Sequence, residues 1–224
     1  MCGRFVLCSP AITIIEEFRV DKTTVEYIPS YNIAPTQNIV IVKKDGTRIL
    51  TNCKWGFIPS WAKDPGMAHC MINARAESIA DKPAFLDAFK RQRCLVIADG
   101  FYEWRKEGKA KIPVYIRLRS GKPFGFAGLY SIWTSPEGEE ICTCTIITTD
   151  ANELLASIHD RMPAVISKDN YDMWLDPDEH DTKKLLSLLK PYDPHELELF
   201  TVSQRVNSPS QNSPDLIKPV EPKK

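Results

Sequence analysis

The stretch PVYIRLRSGKPFGFAGLYSIW at residues 113–133, followed by EICTCTIITT at 140–149, decides the fold. β-Branched and aromatic residues crowd both segments, and Ser120-Gly121-Lys122-Pro123 interrupts the first with turn chemistry, so consecutive strands are predicted. Upstream, NIVIVKKDGTRIL (38–50) reads as a hairpin turning at Asp45-Gly46, and CLVIADG (94–100) as a buried strand ending in a turn. Downstream, ELELFTVSQRV (196–206) reads as a closing strand. Helical spacing is confined to short runs. SPAITIIEEF (9–18) carries Ser9 as N-cap and Pro10 at the first helical position, and DKPAFLDAFKRQR (81–93) again has Pro near its start. NELLASI, KDNYDMWL and TKKLLSLLK show the same period. Strands dominate the middle and helices are scattered without βαβ alternation. The expectation is therefore an α+β single domain, with short helices around a mainly antiparallel sheet or open barrel core.

The 224 residues suit one core, spanning 2–206, with a Pro/Ser-rich C-terminal tail at 207–224 predicted to hold little regular structure. Hydrophobic residues at 43% and charged residues at 26% are the balance of a soluble domain, and 17 prolines point to many loops. Lys plus Arg equal Asp plus Glu at 29 each, so any polyanion must be held by a local patch. No apolar run reaches membrane-span length and the start lacks a signal-peptide pattern, so a cytoplasmic protein with no membrane partner is expected. Seven cysteines with no C-x-x-C pair indicate neither a disulfide framework nor a zinc ribbon. Cys142 and Cys144 share a strand face and His69 adjoins Cys70, but no further ligands stand at zinc spacing, so no metal is expected.

Several polar clusters have both a structural and a chemical reading. INARAES (72–78) alternates Asn73, Arg75 and Glu77 with Ala74 and Ala76, which puts the polar side chains on one face; a solvent-facing stripe is the simpler account. In DGFYEW, Glu103 sits between aromatics after a turn, where desolvation would raise its pKa and suit it to proton transfer. SIHDRMP places His159 and Arg161 at the end of a helical run, where a His–Asp pair is commonly structural. Trp55 and Trp61, in WGFIPSWAKD, read as core plugs ahead of base-stacking platforms. The opening MCGRF is different. Aminopeptidase trimming of Met1 before a small residue would leave Cys2 with an α-amine and a thiol on adjacent carbons, with reference pKa values of about 8 and about 8.5.

Taken in order, MCGRF, YNIAPTQ, CKWGFIPSWA, INARAES, ADGFYEW and IHDRMP run across nearly the whole chain. Together they resemble the SOS response-associated peptidase (SRAP) family, which includes abasic-site processing proteins. The resemblance implies an abasic-site sensor of the DNA damage response that cross-links through Cys2, as a thiazolidine, to abasic sites in single-stranded DNA. It also implies a latent lyase activity and an autoprocessing peptidase that exposes Cys2. By the same resemblance Asn73 senses the missing base beside the sugar and Arg75 grips a phosphate. Glu103 assists sugar opening and proton transfer, His159 is the acid/base partner of the sugar hydroxyl, and Arg161 is a second phosphate clamp. Arg4, Pro35 and Trp61 line the strand path, and Thr148 and Thr149 contact the backbone. No cofactor is implied. The partner is single-stranded DNA containing abasic sites at a replication fork, met by a monomer that is nucleoid-associated when bound.

Two rivals stay open at this point. An N-terminal-nucleophile cysteine amidohydrolase or peptidase also starts from a freed cysteine, and a single-stranded DNA binding module would use the same basic residues without chemistry.

Overall fold

Alternating β-branched and aromatic residues carry strands through most of the chain, and the computed structural model describes residues 2–64, 66 and 70–220. In chain order the elements are β1 (Phe5–Leu7), α1 (Ala11–Phe18), β2 (Lys22–Thr23), β3 (Ser30–Ile33), β4 (Asn38–Asp45), β5 (Thr47–Trp55) and β6 (Asn73–Arg75). Then follow α2 (Pro83–Arg91), β7 (Arg93–Ala98), β8 (Gly100–Glu107), β9 (Ala110–Leu118), β10 (Phe124–Thr134) and β11 (Glu140–Asp150). The chain continues through β12 (Arg161–Pro163), β13 (Val165–Ile166), α3 (Tyr171–Leu175), α4 (Thr182–Ser187) and β14 (Leu197–Thr201). The expected α+β architecture, a mainly antiparallel sheet or barrel with short helices, is what the chain adopts.

There are two sheets. One has five strands in the order β14-β9-β8-β1-β3; the other has nine, ordered β12-β11-β10-β7-β4-β5-β2 with β13 on β10 and β6 on β11. A parallel pairing of β11 with β5 (Thr143↔Lys54, Cys144↔Trp55) closes β5, β4, β7, β10 and β11 into a ring. The turn Ser120–Pro123 does not fold β9 onto β10. It carries the chain from one sheet to the other, so β9 pairs with β8 and β14 while β10 pairs with β7 and β11. The sheets meet through aromatic edges: the Phe5 ring of β1 lies 5.2 Å from Trp55 and 6.1 Å from Phe126, and Phe101 lies 5.8 Å from Phe126. Such pairs contribute about 0.5–1.5 kcal/mol each beyond their buried area.

Several local expectations are corrected. Ser9 does not cap α1; Pro10 holds that position, and Ser9 instead bonds Asp99 through its N–H (2.7 Å) and hydroxyl (2.5 Å). A carboxylate is the stronger acceptor, and the Cys8 N–H (2.5 Å) also donates to it. NELLASI forms consecutive turns with no regular helix, because the Asn152 side chain accepts from the Leu155 N–H at 3.0 Å and donates to the Tyr192 carbonyl at 2.8 Å. Trp55 is a fully buried core plug as expected, but Trp61 is 57% exposed. Cys53 and Cys142 form a disulfide joining β5 to β11, with Cα atoms 4.7 Å apart, a single bridge where the cysteine spacing indicated no disulfide framework. His69 lies outside the described residues, as do Met1 and the last four residues of the tail.

The C-terminal segment is seated on the five-stranded sheet. Leu216 is fully buried with Val6, Tyr102 and Tyr115, and the buried Asn32 amide donates to the carbonyls of Val206, Ser208 and Gln211. Among its described residues the regular structure is two short 3-10 turns, Gln204–Asn207 and Pro214–Ile217.

Gly100, where β8 starts, allows β1 and β9 to approach. A Cβ there would stand 2.5 Å from the Tyr115 ring and 2.6 Å from the Ile116 carbonyl oxygen. Backbone cannot yield as a side chain can, so Gly100→Ala should destabilise the fold by about 1–3 kcal/mol, measured by urea unfolding. An unchanged midpoint would show that this close approach is not a constraint.

Candidate active site around Glu103 and His159

The site begins with strand pairing. β1 lies antiparallel to β8 (Phe5↔Phe101, Val6↔Gly100), and the Tyr102 N–H reaches the Arg4 carbonyl at 3.0 Å. That register lays the start of the chain beside Glu103. Cys2 is fully buried, and its thiol points back at the Arg4 carbonyl at 3.9 Å. Burial raises the Cys2 thiol pKa, and the neighbouring Glu103 charge raises it further, so the sulfur is held as a neutral thiol.

Glu103 is 4% exposed on β8, opposite Val114 of β9. Burial pushes its carboxyl up to about 7, against the lowering influence of the amino-terminal charge. A carboxyl with that pKa is present in both protonation states near neutral pH, the condition for giving and taking a proton. Glu103 and His159 line one cavity of about 440 Å³, together with Trp104, Lys106, Lys111 and Asn207.

His159 follows the turns of 152–158, its N–H bonded to the Leu155 carbonyl at 3.0 Å. Two groups compete for its Nδ1: the Arg161 N–H at 3.0 Å, which suits a neutral ring, and an Asp160 carboxylate oxygen at 2.7 Å, which suits a charged one. The neutral form prevails. Asp160 is 85% exposed and screened by water, while burial, the amino-terminal charge, Lys106 and Arg161 all lower the His159 pKa. With Nδ1 accepting, the ring proton sits on Nε2.

Asn73 and Arg75 stand on β6, paired with β11 at Ile146 and Thr148. The alternation read from INARAES is present, with Ala74 and Ala76 buried and Arg75 exposed. Asn73 makes one long bond, from Nδ2 to the Ile146 carbonyl at 3.4 Å, while its buried Oδ1 has no hydrogen-bond partner among the described residues. Among those residues Arg75 has no ion pair, and its exposed side chain is available to a ligand.

Other assignments change. Arg161 is 8% exposed and already bound: its guanidinium forks onto Glu77 (2.8 and 2.9 Å) and reaches Asp150 (2.7 Å) and the Thr148 carbonyl (2.7 Å). Two carboxylates over-neutralise it, so it ties β12, β11 and the Ala76–Ser78 turn together and is not an open phosphate clamp. Thr148 and Thr149 are buried in β11, paired to β12, and cannot touch a nucleic-acid backbone as they stand. Arg4 donates to Asn32 (2.7 Å) and to the carbonyls of Val206 (2.8 Å) and Asn207 (3.4 Å), so it anchors the C-terminal segment. Pro35 is half-buried in a turn and Trp61 exposed in another; neither lines the cavity. Asn207, which accepts from the Trp104 indole N–H at 2.7 Å, was not foreseen, because nothing local in NSPSQ marks it as reaching β8.

Folding holds Glu103 protonated up to about 7 against an ordinary 4.5, so its contribution is intact at low pH and is lost as pH rises through that interval. Gln cannot ionise. Glu103→Gln should therefore be more stable than the parent by about 3 kcal/mol near pH 8, with the difference vanishing near pH 4, followed by unfolding across pH. A pH-independent difference would mean the carboxyl is not raised.

The sequence profile of the SOS response associated peptidase (SRAP) family matches residues 1–209. The abasic site processing protein YoqW of Bacillus subtilis is 49% identical over 221 residues, covering 97% of this chain and 99% of that protein. The abasic site processing protein HMCES of Xenopus tropicalis is 33% identical over 227 residues, covering 87% of this chain and 67% of that one. A crystal structure of a Bacteroides thetaiotaomicron protein superposes with a TM-score of 0.90 at 28% identity, covering 98% of this chain and all of that one. With the profile spanning nearly the whole domain and a relative at this identity over almost the full length, the chain belongs to the SOS response associated peptidase family.

Proposed function

We propose that this protein, once Met1 is removed, captures abasic sites in single-stranded DNA through Cys2. The carrying observation is that β1–β8 pairing sets Cys2 against Glu103, whose carboxyl shares one cavity with a neutral His159. The names of the relatives, abasic site processing proteins, agree with the substrate.

An abasic deoxyribose opens to an aldehyde. The Cys2 amine adds to that carbon and water leaves, giving an imine; the sulfur then adds to the same carbon while its proton passes to nitrogen, closing a five-membered thiazolidine. Atoms balance without an oxidant or reductant. Because the thiol is held neutral, it needs a base as it adds, and Glu103 with its carboxyl near 7 suits the relay of that proton from sulfur to nitrogen. His159, protonated at Nε2, can donate to the sugar oxygen. The unpartnered Oδ1 of Asn73 suits a contact beside the missing base, and Arg75 suits a phosphate. Both nucleophiles ride on one residue, so the second attack is intramolecular.

In the chain that still carries Met1, Cys2 is fully buried and its nitrogen is an amide. Trimming is thus a precondition, and the reading includes a peptidase step that exposes Cys2. An imine left unclosed acidifies the neighbouring carbon, so β-elimination and strand nicking form its side path.

On a denaturing gel, trimmed protein with abasic single-stranded DNA should give a shifted band, absent with intact strand or with Met1 retained. Cys2→Ala should replace that band with nicked strand. A stable adduct of Cys2→Ala would refute the ring-closing mechanism.

A further inference from the structure

The arginines that a nucleic-acid site would be expected to use are largely occupied: Arg161 by Glu77 and Asp150, Arg4 by Asn32 and the carbonyls of 206–207. With zero net charge, the molecule has no general attraction for a polyanion, and the question is which cations remain. Two lie at the cavity itself. β8 and β9 are joined in register so that Lys106 stands directly opposite Lys111, both exposed and both lining the cavity that holds Glu103 and His159.

Like charges directly opposite on antiparallel strands repel, and the usual remedy is a neighbouring carboxylate. None serves here. Glu107, the adjacent acid, is bound by Arg105 at 2.8 Å, and no ion pair involves Lys106 or Lys111 among the described residues. Lys106 lines the same cavity as His159, and its charge contributes to lowering the His159 pKa. On the same face of β8, two residues away, Trp104 is held by the Asn207 side chain at 2.7 Å and presents its ring at the cavity. An uncompensated cation pair beside a fixed indole is an arrangement that fits a phosphate with a base attached.

We infer that Lys106 and Lys111 form the phosphate grip of this site, binding the phosphodiester backbone of a single strand next to the nucleotide held at Glu103 and His159. The inference deepens the reading of the previous subsection and rests on it for the identity of the strand. A phosphate between the two ammonium groups removes their mutual repulsion, so the pair gains more from a bound anion than two separated lysines would.

The test uses trimmed full-length protein and intact single-stranded DNA, so that binding is read without the covalent step. Fluorescence anisotropy across a salt series compares the parent, the K106Q/K111Q double variant and, as control, Lys109→Gln at the hairpin tip, outside the cavity lining. Loss of two phosphate contacts should lower the slope of log affinity on log salt by about 1.4, which is roughly 25-fold in affinity near 0.1 M salt, with the control unchanged. The initial rate of adduct formation with abasic strand should fall in parallel while circular dichroism stays that of the parent. Inorganic phosphate at matched phosphate concentration should not displace the strand.

An unchanged salt slope in the double variant overturns the grip, as does displacement by inorganic phosphate or failure of the parent to bind single strands. A parent that binds intact strand with the expected slope difference, yet forms no adduct with abasic strand, supports the grip and refutes the covalent reading.

Discussion

The pairing of β1 between β8 and β3 is the constraint on which the site depends. Only three residues long, this strand is held by backbone bonds on both edges, by the Phe5 ring wedged between Trp55 and Phe126, and by Asp99 gripping the Cys8–Ser9 corner beyond it. A chain terminus usually frays. Here β1 follows Cys2 after two intervening residues, and its pairing with β8 gives Cys2 a defined position relative to Glu103.

Burial then does the electrostatic work. The interior that fixes Cys2 also desolvates Glu103 and the thiol, pushing both toward their neutral forms. His159 is lowered by the same cause acting on a base. Burial is thus the largest influence on all three groups, joined at His159 by the neighbouring positive charges.

The arginines show how a motif can be present while its side chain performs a different task. Arg161 stands where the family resemblance places a phosphate contact, yet its two terminal nitrogens are taken by Glu77 and Asp150, and its backbone N–H donates to Nδ1 of His159. Arg4 similarly holds the C-terminal segment against β3 and β8. The cations that line the cavity are instead Lys106 and Lys111 of the β8–β9 hairpin.

Most strand positions, the short helices at Ala11–Phe18 and Pro83–Arg91, and the alternation of INARAES were legible in the sequence because each depends on a short-range period. What only the tertiary structure decided involves partners far away along the chain. Residues 113–133 read as two strands, but that they enter different sheets follows from which distant strands accept their edges. Trp55 and Trp61 are alike in sequence context, and packing against Phe5 buries one while the other stays exposed. Cys53 finds Cys142 only because the parallel β5–β11 pairing closes the barrel, and Arg161 finds Glu77 across 84 positions. Local pattern specifies what a segment can form; the contacts that choose among its possible partners exist only once the chain has closed on itself.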